Sequence, residues 1–417
     1  MKKLKNFLSY LWFVMSLDYF QLFSTVVDVI ILVFAIVNYE DIVSQPTLFL
    51  IFIGFLINFI WQCFNVASHF RFLKKEEPSA PMLSLLAGHD GKNDYTKVGI
   101  ASGLLDQEFP YAVDTENGVL RNEGVDAILL DGQPIRPKMG KKKRSDTIAY
   151  IKQYKETLFK FLNHKWYDVN FKGGDFSNDA KICLASELFR DNEGGYQWTI
   201  CRGDYYCGYL TNFIFSKYIA GEHYALYPPM NVTNSKIKAL SDSDFSDHIG
   251  VSTLLYSSDG YVVVFRQAGY SGYSAGKLVP SGSGSMDYAD YRDDSDFRDV
   301  VIRAAERELV QETSLERVVG HSGWSGVITT KVLSFYRDME RGGKPEFCCV
   351  SRVNQSKEYL AEYIVPNKKE LSGLKPEFVK IYDDSSWERI FKEASLSLRM
   401  NYISVKQWLE GAGAVES

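Results

Sequence analysis

Glu308, Gln311 and Glu312 sit in the run Arg307-Glu308-Leu309-Val310-Gln311-Glu312-Thr313-Ser314-Leu315. On a helix they fall at i, i+3 and i+4 and share one face. Val301, Ala305 and Leu309 repeat every four residues on a neighbouring stripe. The helix can therefore pack inward through that stripe while presenting three oxygen-bearing side chains beside it. Two like charges four residues apart in the C-terminal half of a helix oppose both each other and the macrodipole, each effect costing roughly a few tenths of a kcal/mol. A bound hard cation would reverse that penalty.

The elements that must position these side chains are legible around them. The spacing predicts a helix from about Ser295 to Thr313, with Ser295 or Asp296 at its N-terminus as cap. Upstream, Val251 to Tyr256, Gly260 to Gln267 and Lys277 to Pro280 read as short strands, the first two joined by turn chemistry at Ser257-Ser258-Asp259-Gly260. The run Pro280-Ser281-Gly282-Ser283-Gly284-Ser285 reads as a flexible loop leading to the helix.

This stretch resembles the Nudix family, whose box reads G-x5-E-x7-R-E-U-x-E-E-x-G-U with U aliphatic. The match covers roughly Ser246 to Leu409. Arg307, Glu308, Leu309, Glu312 and Leu315 agree residue by residue, Asp299 stands where the box has its first Glu, and Leu278-Val279-Pro280-Ser281-Gly282 is similar to the family's Leu-Pro-Gly-Gly run. The departures are Gln311 for a box Glu, Ser314 for the box Gly, and a longer loop from Gly282 to Asp299. The resemblance implies an α/β/α sandwich, a ligand loop at Ser281 and Gly282, box positions at Asp299 and Arg307, and a Mg2+ site at Glu308, Gln311 and Glu312, with Glu308 the catalytic candidate. In the family such an ion neutralises a diphosphate and positions the attacking water. At Gln311 an amide oxygen can still ligate a cation but brings no charge.

The six cysteines include no C-x-x-C pair to suggest zinc or dithiol chemistry, and they read as buried thiols in a reducing compartment. A net charge of -5 argues against holding DNA or RNA by bulk phosphate neutralisation. From Glu76 to about Ser246 no catalytic motif is present. Lys138, Lys141, Lys142, Lys143 and Arg144 read as a solvated basic loop in preference to a headgroup or phosphate contact. A helix is expected after Ser145, through Ile148, Ile151, Tyr154, Leu158 and Phe161. The aromatic stretch from Tyr196 to Tyr227, which includes Tyr205 and Tyr206, reads as packed strands in preference to a base-stacking platform.

At the N-terminus, Ile42 to Phe70 lacks Asp, Glu, Lys and Arg, and Tyr19 to Tyr39 carries Asp28 alone. Runs of about 20 apolar residues suffice to cross a bilayer. The expectation is a membrane α-hairpin, with transmembrane helices at 19-39 and 47-68 inside a 1-75 anchor, followed by an α+β middle region at 76-245 and the Nudix-like domain at 246-417. No A-x-A-like cleavage site supports a signal peptide instead. Lys2, Lys3, Lys5 and Arg71, Lys74, Lys75 flank the pair, which places both termini in the cytoplasm and the chain in the inner membrane as a multi-pass protein. Polar residues recur on one face of each span, Gln21, Ser24, Thr25 and Asp28 in the first and Gly54, Asn58, Gln62 and Asn65 in the second. Such stripes face protein or water rather than lipid, and predict a homo-oligomer.

The whole architecture is similar to the 2TM-Nudix effectors associated with CD-NTase enzymes in antiphage signalling (CBASS). That resemblance implies a cyclic nucleotide from a CD-NTase as ligand, membrane lipid as target, and no DNA or RNA. The rival reading is a membrane-tethered Mg-dependent Nudix hydrolase of a nucleoside diphosphate-linked compound. A third is an anchor carrying a degenerate scaffold domain.

Overall fold

The computed structural model describes residues 2–17, 27–34, 44–75, 107–140, 142–155, 176–214, 236–267, 276–293, 296–315, 328–366 and 375–415, with short pieces between them. In chain order the helices are α1 (Lys2–Leu17), α2 (Pro46–Lys75), α3 (Glu123–Asp131), α4 (Lys142–Gln153), α5 (Tyr205–Gly208), α6 (Phe297–Thr313), α7 (Lys357–Tyr363), α8 (Asp384–Phe391) and α9 (Leu396–Val415). The early strands are β1 (Gly99–Ile100), β2 (Ala112–Asp114), β3 (Val119–Arg121), β4 (Ile135–Met139), β5 (Ala180–Leu184), β6 (Phe189–Arg190), β7 (Tyr196–Asp204), β8 (Val232–Thr233) and β9 (Lys236–Ile237). The later ones are β10 (Gly250–Tyr256), β11 (Tyr261–Arg266), β12 (Leu278–Val279), β13 (Gly282–Ser285), β14 (Ile328–Asp338), β15 (Lys344–Val353) and β16 (Glu377–Lys380).

A mixed nine-stranded sheet runs β12-β11-β10-β15-β14-β3-β2, with β13 on β10 and β16 on β11. β10 and β15 are parallel and the other pairs antiparallel. Strand side chains alternate between faces, and β10 shows both faces covered. Val251 enters the core with Phe297 and Val301 of α6, while Leu254 enters the one with Leu398 and Val405 of α9. α6, the sheet and α9 thus form three layers. β10, β11 and β12 fall where the sequence puts them, and α6 ends at the expected Thr313 with Asp296 as cap.

Two expected loops are ordered elements instead. Gly282 to Ser285 is a strand, because β10 supplies it with a full ladder from Gly250↔Ser285 to Thr253↔Gly282. The basic run begins a helix at Lys142, ahead of Ser145. A second sheet, β4-β7-β5 with β6, covers α6. Its Trp198 is fully buried, with ring centroids 5.0 Å from Phe297, 5.6 Å from Phe335 and 5.5 Å from Phe347. Middle region and C-terminal sheet thus share one apolar core.

The membrane anchor must be corrected. Among the described residues no helix is long and apolar enough to cross a membrane. Crossing needs about 30 Å of apolar helix. The expected α-hairpin class and the expected inner-membrane, multi-pass location with cytoplasmic termini are withdrawn on that finding. α1 instead docks on the body of the protein: Tyr10 stacks on Trp166 at 4.9 Å and Phe13 meets Tyr206 edge-on at 5.2 Å.

Asp28 and Asn58 come together, the Asn58 Nδ2 donating to Asp28 Oδ2 at 2.8 Å. Gly54 faces open space. Gln21, Ser24 and Thr25 lie outside the described residues, as do the side chains of Gln62 and Asn65.

Candidate functional site

The site begins with how α6 is held. The Asp296 side chain accepts from Arg298 N at 2.8 Å, closing the first turn, and also from Ile135 N at 3.1 Å, tying the helix start to β4. At the other end Ser314 adopts the left-handed conformation, φ 53°, in the position of the box Gly. Between these ends Glu308 and Glu312 point the same way, and each is about one-twentieth exposed.

β13 lies so closely against this face that a side chain would collide at two points, with backbone at Gly282 and with the end of a side chain at Gly284. A Cβ on Gly282 would come within 2.5 Å of the Leu309 Cα, and one on Gly284 within 2.2 Å of a Glu308 carboxylate oxygen. Ser283 N donates to Glu312 Oε2 at 3.1 Å. Arg307 donates to Glu308 at 2.7 Å and to both oxygens of Asp290 at 3.0 and 2.9 Å. These carboxylates hold its guanidinium firmly protonated against the cost of burial. Its place in the box is therefore structural here: it fixes Glu308 and the turn at Tyr288–Asp290.

Glu308 and Glu312 line a partly open cavity of about 310 Å³. The β14–β15 hairpin supplies Asp338, Arg341, Lys344 and Glu346 to its wall, and the middle region supplies Lys181, Tyr205 and Phe213. Arg341 pairs with Asp338 and Glu346, both at 3.4 Å. Lys344 pairs with Glu346, and Lys181 with Asp287. Burial lowers the Lys344 ammonium pKa against the pull of Glu346. Burial also pushes the Asp338 carboxyl up to about 7, with Arg341 opposing.

The sequence-predicted residues divide. Glu308 and Glu312 share the cavity wall, whereas Gln311 is exposed on α6 and absent from it. Asp299 is likewise exposed. Ser281 is fully buried, its Oγ accepting from Leu255 N at 2.8 Å and donating to Val263 O, so it serves the sheet. The neighbouring Ser283, Gly284 and Ser285 reach the cavity.

As a donor set for Mg2+, two carboxylates suit an ion that completes its shell with water and ligand phosphate. Among the described residues no group of three or more His, Cys, Asp or Glu could hold a metal by itself. A cation here would then be shared with the ligand.

Sequence reasoning missed Lys181, Phe213, Asp338, Arg341, Lys344 and Glu346. The one local signal was Arg341-Gly342-Gly343-Lys344, a glycine turn between two cations; both glycines take positive φ.

No family model and no curated protein matches the sequence. Among solved structures, the chain is similar to DR0079 from Deinococcus radiodurans, at 17% identity over 36% of this chain and 75% of that one, TM-score 0.24. It is also similar to RenU, a Nudix hydrolase from M. smegmatis, at 14% identity over 40% of this chain and 84% of that one, TM-score 0.24. Likenesses this weak carry no inference about function.

Proposed function

We propose that the chain binds a phosphate-bearing nucleotide in this cavity, with Mg2+ shared between the ligand and Glu308 and Glu312, and that it senses the ligand rather than turning it over. The observation that carries the reading is the lining itself: three cations, Lys181, Arg341 and Lys344, share one cavity with two helix carboxylates. Cations bind phosphate oxygens directly, and carboxylates bind them through a hard cation. The lining carries four acids and three bases, and a bound divalent ion adds the positive charge that admits an anion. Sensing is favoured because Gln311 stands on the exposed face and Arg307 engages Glu308, leaving fewer charged ligands for hydrolysis than the Nudix box provides. Within that reading the ligand is a cyclic nucleotide made by a CD-NTase, and the chain is an effector of CBASS type.

Hydrolysis is the second reading, favoured by the Asp338 carboxyl near neutrality beside the same cavity, a value suited to a general base. Calorimetry of the full chain with ADP, cyclic dinucleotides and cyclic trinucleotides, with and without Mg2+, tests the proposal. Mg-dependent binding without phosphate release supports sensing, and release that Glu308→Gln abolishes supports hydrolysis. No heat with any nucleotide overturns both.

A further inference from the structure

Tyr205 and Phe213 stand out within an otherwise buried segment. From Gly203 to Ile214 every residue is buried except these two, which are half-buried, and both line the cavity. The segment changes geometry between them. α5 is α-helical, and Tyr209–Phe213 continues as a π-helical turn. In an uninterrupted α-helix, at roughly 100° per residue, residues 205 and 213 would sit roughly 80° apart around the axis. The wider π-turn rotates less per residue and brings them closer to one face. The rings accordingly face the cavity together, centroids 5.8 Å apart and planes tilted by 36°.

π-turns are rare and frequently lie at functional sites. This one is held in place from behind. Asn212 donates to Asp247 at 3.0 Å and to the Arg341 carbonyl at 3.0 Å. Thr211 donates to the Cys207 carbonyl at 2.7 Å. Asp247 itself takes a positive φ of 48° while its carboxylate accepts from Ser243 at 2.6 Å. Backbone strain of this kind persists only where the surroundings over-determine it. The same network also fixes the Arg341 carbonyl, so the aromatic wall and a cavity cation are positioned by one set of bonds.

The cations gather around these rings. The Lys181 ammonium lies 5.8 Å from the Tyr205 centroid, and Arg341 and Lys344 lie 5.2 and 5.7 Å from that of Phe213. A planar aromatic group beside an anionic one is the chemical outline of a nucleobase and its phosphate. Aromatic side chains stack on any base because every base has a π-face.

Resting on the nucleotide reading above, we propose that Tyr205 and Phe213 form the base platform of this cavity, and that they, with Lys181, select nucleotides over base-free phosphates. Both rings come from the middle region, so specificity is supplied by residues outside the Nudix-like half. A cavity of about 310 Å³ lies at the small end of ligand sites, so it takes one nucleotide unit at a time and leaves the rest of a larger ligand outside.

The test is calorimetry of the full chain with Mg2+ and two probes, ADP and inorganic pyrophosphate, on the parent and on Tyr205→Leu, Phe213→Leu and Phe213→Tyr. The parent should bind ADP at least tenfold more tightly than pyrophosphate, equivalent to 1.4 kcal/mol. Each Leu variant should lose most of that preference while its pyrophosphate affinity stays within twofold. Phe213→Tyr, which keeps the ring, should retain the preference, and unchanged pyrophosphate binding reports that the variants are folded. If ADP and pyrophosphate bind the parent equally, or the Leu variants keep the preference, the platform is overturned while the phosphate site stands. If neither probe binds the parent, the platform is overturned, and the nucleotide reading falls with it when cyclic di- and trinucleotides also give no heat.

Discussion

At the residue scale, Gly284 shows how tightly the helix carboxylates are boxed in. A methyl there meets the Glu308 carboxylate at 2.2 Å, so the end of that side chain must turn aside. Gly284→Ala should weaken Mg-dependent nucleotide binding in a calorimetric titration, since Glu308 must leave Arg307 to make room. Ser314 argues in the opposite direction. Its φ of 53° is a conformation that costs a side-chain-bearing residue roughly 1 kcal/mol and glycine little. Ser314→Gly should therefore stabilise the fold by about 1 kcal/mol in urea titration; a destabilised variant would show that the serine makes compensating bonds. Asp338 ties stability to pH. Burial raises its carboxyl from 3.8 to about 7, so the folded state holds a proton that the unfolded state releases between those values. Its contribution is complete below about pH 4 and falls as pH climbs to about 7. Asp338→Asn should flatten the decline of Tm across that window, with a remaining slope from Asp126, which burial also pushes up to about 7. An unchanged slope would refute the assignment to Asp338.

At the element scale, α6 is the part that the sequence describes best. Its end at Thr313, its Asp296 cap and the common face of Glu308 and Glu312 all follow from short-range spacing, because capping and i, i+4 neighbours are decided within one or two turns. Asp296→Ala should cost about 1–2 kcal/mol by chemical denaturation, the upper part of the capping range, because the same carboxylate also accepts from Ile135 N. Gln311 shows the limit of such spacing: i+3 from Glu308 is near enough to share a helical face, and only the packing of β13 and β10 on α6 decides which side of that face meets the cavity. The π-turn at Tyr209–Phe213 had no sequence signal, since its extra backbone spacing is stabilised by Asn212 and Asp247, thirty-five residues apart.

At the scale of the whole molecule, the body is joined across its length. β2 and β3 extend the C-terminal sheet through β14, Trp198 fills the gap between Phe297, Phe335 and Phe347, and the buried Arg337 pairs with Glu187 at 3.1 Å. A fragment of residues 246–417 alone would leave that aromatic cluster and a buried arginine uncovered. It is expected to melt without a cooperative transition and to bind a hydrophobic dye, while the full chain melts cooperatively. A fragment with a sharp calorimetric transition would show instead that the C-terminal half is an independent domain. In the full chain Trp198→Ala should cost about 3–5 kcal/mol.

The sequence by itself determined the strands β10 to β12, the helix α6 and the pair Glu308 and Glu312, because alternation, turn residues and helical spacing are local and act on neighbours in the chain. It gave no means of deciding that the apolar N-terminus supplies α1, whose Tyr10 and Phe13 pack on Trp166 and Tyr206, since apolar periodicity reports that a face must be covered and not what covers it. Only the tertiary structure decided the rest of the cavity wall. Lys181, Phe213 and Lys344 are far apart in sequence and come together only through the packing of the middle region on the β14–β15 hairpin, where burial, rather than spacing, gathers three cations and two aromatic rings in one cavity with two carboxylates.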